Sequence, residues 1–337
     1  MEVFHGIESF RPPEQGVALT VGNFDGVHRG HQRLLTAARE PLNGQRLPVI
    51  VMTFEPHPAT VLTPQRVPPR LTTPAEKLAL LAAFGANAVI VLRSRPELFT
   101  LTAGEFLERF VEPCRPAHLV EGSSFRFGRG RAGHVDTLRE YARRRGWALT
   151  ILEEISSPET PGDPPISSST IRELIRAGRV EHAAAMLGRP HRIVGRVGHG
   201  DSRGARLGFP TANLEEIPQL VPGHAVYAAV ARLSDGSAHL AVVNVGPQPT
   251  FDQHTPRVEA HLLDFSGRLG GQTLELYFLR RLREQIRFAS LGELAAQIGR
   301  DIALTREQHP DWRRVLQEPT IPQIPLLSGD VGGKGLV

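Results

Sequence analysis

The chain has 337 residues, 40% of them hydrophobic and 22% charged, with a formal net charge of +4. No apolar run reaches the roughly 18 residues a bilayer span needs, and "MEVFHGIESFRPPEQG" places acids and prolines where a secretory leader has a basic start and an apolar block, so a cytoplasmic protein without membrane contact is expected. Lys77 and Lys334 are the only lysines, the arginines are scattered with few aromatics among them, and Cys114 is alone, which argues against a nucleic-acid partner, an internal disulfide and a cysteine metal site.

The length allows two cores. Val17–Val21, Pro48–Phe54, Asn87–Leu92, Ala117–Val120 and Trp147–Leu152 read as buried strands, and helical patterns lie between them. One helix starts near Gly30 and continues through Leu34, Leu35 and Ala38; another opens with Thr73, Pro74 and Glu76 and stops at Gly85. Alternating strands and helices predict an α/β domain with a parallel sheet. Its last helix follows "ISSSTIRELIRAG", where Thr170 and Glu173 have capping-box spacing, and "LGRP" forms the joint. Beyond it, "HRIVGRV", "AVYAAVARL", "HLAVVNVG", "RVEAHLLDF" and "TLELYFLRRL" alternate between turn residues, which predicts a small antiparallel β-barrel. Ser290 and Glu293 cap a closing helix, and from Glu318 the chain is Pro- and Gly-rich without periodicity. The expected domains are therefore 1–187, 188–317 and a disordered tail, 318–337.

The first strand runs directly into "GNFDGVHRGH". Gly22, Gly26 and Gly30 let backbone N–H groups approach a ligand, and the helix that follows favours an anion at its N-terminus. The Gly-Lys-Ser/Thr ending of a P-loop is absent. In place of its lysine stand His28 and His31, three residues apart on one helix face, where they can donate hydrogen bonds to a phosphorus centre as charge builds on it. Taken alone, such a pair is equally at home in a surface turn. A competing fingerprint, "GRGRAG" (Gly128–Gly133), has the Gly-x-Gly-x-x-Gly spacing of a dinucleotide-binding oxidoreductase, with Glu153 downstream, but it does not directly follow a strand.

The histidine stretch contains the whole pattern Gly-x-Phe-Asp-Gly-x-His-x-Gly-His. It resembles the nucleotidyltransferase half of the prokaryotic bifunctional riboflavin kinase and FMN adenylyltransferase family, and the resemblance extends over nearly the whole chain up to the tail. "TFEPHP" and "ISSSTIREL" are similar to that family's further motifs. The resemblance implies a Rossmann-like N-terminal domain that adenylylates FMN to FAD and a barrel that phosphorylates riboflavin to FMN, with ATP as co-substrate and Mg²⁺ as cofactor in both. It assigns ATP to Gly22, Asn23, Phe24, Asp25, Gly30, Ser167, Ser168 and Ser169, and catalysis to His28, His31 and Arg172. A hydroxyl-rich helix start with Arg172 in its first turn suits a triphosphate or a leaving pyrophosphate. The "FRFG" loop implies that Ser124, Phe125, Arg126 and Phe127 lie near the flavin. The family usually has Asp or Asn at the position of Ser124 and often Asp at that of His134.

In the barrel, "GHGDSRGARLGFPTANL" is similar to the kinase motif: Gly204 and Gly208 belong to a glycine flap on ATP, and Thr211 and Asn213 are oxygen ligands for ATP and its magnesium. "NVGPQPTF" adds to the match, and the match selects Glu259 as the base that accepts the ribityl hydroxyl proton. Alternation places Glu259 on one strand face with Leu263 and Phe265, partly desolvated. Ala225 stands where the family prefers Gly, and "GRLGG" replaces a more usual Gly-Asp-Leu-Tyr-Gly. Two alternatives stay open: a riboflavin kinase with an impaired adenylyltransferase half, and a flavin-binding protein without turnover.

Overall fold

The computed structural model describes residues 1–156, 164–198, 208–247 and 256–317. The expected tail, 318–337, and Gly204 of the flap lie outside the described residues, as does the second half of "NVGPQPTF". Contacts divide the chain into two compact units, residues 1–68 with 74–167, and residues 69–73 with those from 168 onward.

The first unit is built on a six-stranded parallel sheet. Its strands are β1 (Glu2–His5), β2 (Val17–Val21), β3 (Val49–Glu55), β4 (Ala88–Arg93), β5 (Pro116–Gly122) and β6 (Ala148–Leu152), in the order β1-β4-β3-β2-β5-β6. Five of these match predicted runs; β1 is an additional edge strand, short and largely exposed, without the buried run that marks the others. Every residue of β2 is buried because both faces of the sheet are covered. Leu19, Met52, Ile90 and Leu119 fill one side. Ala18, Val51, Val89 and Val120 fill the other, with Leu35 of α1 (Arg29–Arg39) and Leu80 and Leu81 of α2 (Pro74–Ala83).

Strand order reverses at β2, with β3 and β4 on one side and β5 and β6 on the other. The β2–β5 ladder ends at Leu19 and Leu119, whereas β2–β3 pairing reaches Val21 and β5–β6 pairing reaches Gly122. The two halves of the sheet part at their carboxyl ends, the place where open α/β sheets bind ligands. The oxidoreductase fingerprint has another use. Phe127 and Gly133 exchange backbone hydrogen bonds of 3.0 and 2.9 Å, and a Cβ on Gly128 would lie 2.7 Å from the Ala103 nitrogen, so these glycines close a tight turn.

The second unit is a closed barrel of β7 (His191–Gly198), β8 (Ala212–Glu215), β9 (Ala225–Leu233), β10 (Ala238–Gly246), β11 (Arg257–Leu262) and β12 (Thr273–Arg283), in the order β10-β11-β8-β7-β12-β9 with antiparallel neighbours. Five strands were expected. The sixth, β8, is a four-residue piece that begins in the PTAN stretch and ends at Glu215. Ile193, Leu214, Tyr227, Val243, Val258, Leu276 and Phe278 fill the interior.

Helix α3 (Val135–Arg145) belongs to the first unit; α4 (Ser168–Arg176), α5 (Val180–Leu187) and α6 (Leu291–Gln308) belong to the second. The contact division falls before Ser168, whereas the sequence reading placed its boundary after Leu187. The reason is packing: Val180 joins the barrel core, and the Gly223 N–H donates to the Ile175 carbonyl at 2.9 Å. Helix α4 begins at Ser168, so Thr170 lies inside it and is not its cap.

Candidate functional site

In the first unit, β2 ends at Val21 and α1 begins at Arg29, with His28 as its N-cap. Between them Phe24 (φ 52°) and Val27 (φ 39°) are buried in a left-handed conformation that residues with side chains seldom adopt, a strain that persists where surrounding packing enforces it. The His28 Nδ1 accepts a long hydrogen bond from the His31 N–H at 3.4 Å, so Nε2 is the ring nitrogen left to donate. The two rings stack at 3.7 Å with 19° between their planes, and His31 also packs on Phe24 at 4.8 Å. The glycines leave room for this arrangement: a Cβ on Gly30 would lie 3.1 Å from the His28 ring, and one on Gly22 would lie 3.2 Å from Phe24.

Nδ1 of His31 is buried without a hydrogen-bond partner. Burial, with the nearby His28 and Lys77, holds this imidazole well below the usual histidine range and therefore neutral at pH 7. Beneath the loop, the Lys77 ammonium donates to the carbonyls of Asn23 (3.4 Å) and Phe54 (3.4 Å) and to the Thr53 hydroxyl (3.3 Å), and pairs with Glu55 at 3.6 Å. Thr53 Oγ1 also donates to the Asn23 carbonyl (3.1 Å), and the Asn23 side chain meets His57 at 3.3 Å. The "TFEPHP" segment thus braces the histidine loop.

A cavity of about 240 Å³ opens here, lined by Gly22, Phe24, His28, Gly30 and His31 from the loop, Glu121 and Gly122 from β5, Ser124 and Phe125 beyond it, and Ser167. Of the remaining expected residues, Asn23, Asp25, Arg126 and Phe127 do not line it. Asp25 is buried; Phe127 is buried behind Phe125, their rings stacked at 5.2 Å, and Arg126 is exposed and donates to the Phe125 carbonyl at 2.8 Å. Ser168 and Ser169 start α4 in the second unit, where Arg172 is buried and its Nε donates to the Pro69 carbonyl at 2.8 Å. At the position of His134 the imidazole does a carboxylate's capping work, accepting from the Asp136 N–H at 3.3 Å at the start of α3.

In the second unit, Ala212 and Leu214 point into the barrel, so Thr211 and Asn213 share its outer face. Register places Asn213, Glu259 and Asn244 side by side across β8, β11 and β10. Asn244 Nδ2 donates to Glu259 at 3.2 Å; Arg257 pairs with Glu259 at 2.9 Å and donates to the Asn213 amide oxygen at 3.0 Å. The Glu259 side chain is 25% exposed. Leu263 shares its outer side, buried, but Phe265 packs against the interior core after the chain turns at Asp264 (φ 57°), a departure from simple alternation. Thr211 and Gly208 are exposed. A hydroxyl, an amide oxygen and a carboxylate are hard oxygen donors, a set that fits Mg²⁺.

Comparison with known proteins bears on both units. The family model described as FAD synthetase matches residues 11–170, and that described as riboflavin kinase matches residues 187–309. A bifunctional riboflavin kinase/FMN adenylyltransferase of Escherichia coli (strain K12) is 38% identical over 310 residues, covering 91% of this chain and 97% of its own. One from Bacillus subtilis (strain 168) is 33% identical over 288 residues, covering 84% and 89%. The chain belongs to the bifunctional riboflavin kinase/FMN adenylyltransferase family. A crystal structure described as a macrolide-efflux protein from Streptococcus pneumoniae matches with a TM-score of 0.81 at 29% identity, covering 90% of this chain and 98% of that one. Among the described residues of this family member, no helix is long and apolar enough to cross a membrane.

Sequence reasoning missed Lys77, Glu121 and Arg257 as members of these sites. For Lys77 a signal existed, a rare lysine in an arginine-rich chain. Glu121 stood as a carboxylate at the end of an apolar strand run, and Arg257 stood two residues before the expected base.

Proposed function

We infer that the chain carries out two successive reactions: riboflavin and ATP give FMN and ADP in the barrel, and FMN and ATP give FAD and pyrophosphate in the α/β domain. In the second, a phosphate oxygen of FMN attacks the α-phosphorus of ATP, the bond to the bridging oxygen breaks, and pyrophosphate leaves. No covalent enzyme intermediate is needed. His28, through Nε2–H, and the neutral His31 donate to the oxygens on which charge grows, at the N-terminus of α1, where an anion is favoured. We assign Gly22 and Gly30 to close approach of the phosphates, Ser167 to the triphosphate, and Ser124 and Phe125 to the flavin.

In the kinase reaction, Glu259 accepts the proton of the ribityl hydroxyl as its oxygen attacks the γ-phosphorus and ADP leaves. Asn244 and Arg257 hold that carboxylate in place. Thr211 and Asn213 would hold Mg²⁺, which when bound neutralises charge on the phosphates. The partners are small molecules, and a chain with a single, buried thiol suits the cytoplasm.

The observation that carries the reading is the stacked imidazole pair, with a buried unpartnered nitrogen, at the carboxyl end of β2 where strand order reverses. Incubation with riboflavin, ATP and Mg²⁺, followed by chromatography, should yield FMN and then FAD, and chelation of the metal should stop both. Because Ser124 offers the cavity a hydroxyl where the family usually has Asp or Asn, accumulation of FMN alone would identify an impaired second half; release of neither product would overturn the reading.

A further inference from the structure

Along β2, alternate N–H groups face alternate neighbours. Ala18 and Gly22 donate to β3-side carbonyls, Pro48 and Met52, at 3.0 Å each, while Val17 donates to Arg115 on the β5 side at 3.3 Å. The Val21 N–H therefore faces β5, yet its partner is no backbone carbonyl. It donates to Oε1 of Glu121 at 2.7 Å. Glu121 is 2% exposed, lines the cavity, and stands where β2–β5 pairing has already stopped at Leu19 and Leu119.

We propose that Glu121 is a positioning residue for the adenylyltransferase nucleotide: its carboxyl replaces the missing ladder bond at Val21, holds the ends of β2 and β5 apart, and so fixes Gly22 and the histidine loop at the width the phosphates require. The proposal rests on the reading of this cavity as the FMN adenylyltransferase site. Burial pushes the Glu121 carboxyl well above the usual carboxylate range, against the opposing effect of the Val21 N–H, so the group enters the cavity protonated over a wider pH range than an exposed glutamate does. The titratable and charged groups that line the same cavity are His28, His31 and Arg33 from the loop and α1, and Glu153 and Glu154 after β6. When Glu121 ionises at higher pH, its negative charge adjoins the nucleotide's own and weakens binding.

The test uses FAD formation from supplied FMN and ATP across pH 6 to 9, with FMN formation from riboflavin as control in the same protein. Glu121→Val should raise the KM for ATP roughly tenfold, the effect of about one lost hydrogen bond, with kcat changed far less. Glu121→Gln, whose amide oxygen still accepts from Val21 and which carries no charge, should keep the wild-type KM. A wild-type KM in Glu121→Val, or a KM in Glu121→Gln raised as far as in Glu121→Val, would overturn the proposal. Should Glu121→Val fail to fold, Glu121→Gln decides: a KM for ATP raised about tenfold in that variant, although its amide oxygen still accepts from Val21, would overturn the proposal. Wild-type protein that makes FMN but no FAD would instead overturn the reading of the cavity, and the proposal with it.

Discussion

His31 shows how one side chain's surroundings set its chemistry. In the unfolded chain it titrates near 6.5, but in the folded protein burial, His28 and Lys77 lower that value. The fold therefore favours the neutral ring, and as pH falls through about 6.5 the unfolded chain takes up the proton first and stability declines; above that pH this contribution is intact. Glu121 acts with the opposite sign: its raised pKa lends stability that is complete below the ordinary carboxylate range and lost as pH rises through its folded value. Comparison with a single variant isolates the first effect. Thermal unfolding of the wild type at pH 5.5 and 7.5 should show a larger loss at the acid end than His31→Gln shows, and equal losses would refute the neutral imidazole.

Capping separates the helices whose starts could be read from those whose starts could not. At α6 the expected cap forms, with the Ser290 hydroxyl accepting from the Glu293 N–H at 3.2 Å and Glu293 accepting from the Ala289 N–H at 3.0 Å. Ser290→Ala should cost about 1 kcal/mol, read as a lowered denaturant midpoint with an unchanged slope. The loss would reach the barrel, because Ile302 of α6 packs on an outer patch of Val230, Leu240, Leu263 and Tyr277. At α4 the same spacing misled, since Thr170 and Glu173 sit within a helix that starts at Ser168. Serines precede the threonine there, and several consecutive residues qualify equally as a start.

Across the whole molecule, two units have separate cores, and each contains one of the two candidate sites. Substitutions at the two sites should therefore have complementary outcomes. Glu259→Gln should reduce riboflavin phosphorylation by about 100-fold or more while FAD formation from supplied FMN continues. His31→Ala should reduce FAD formation by about 100-fold or more and leave FMN formation intact. Product chromatography of both variants checks this, and a loss of both activities in either one would contradict independent sites.

The sequence by itself determined the class of each half, because buried strands, amphipathic helices and turn residues write periodicities that need no partner to be seen. Five strands of the sheet and five of the barrel were legible in this way, and the glycine-spaced histidines pointed to a candidate site through the family pattern that contains them. Tertiary structure alone decided what was short or depended on a distant partner: β1 and β8 are strands through their neighbours, and Lys77 joins the site through carbonyls of two other segments. Glu275 is legible only in the closed barrel, where burial works against its charge yet Arg192 and Arg232 hold its carboxyl below the usual range. Glu121 meets Val21 across 100 residues of chain, and only the point where two strands stop pairing reveals what that carboxyl is for.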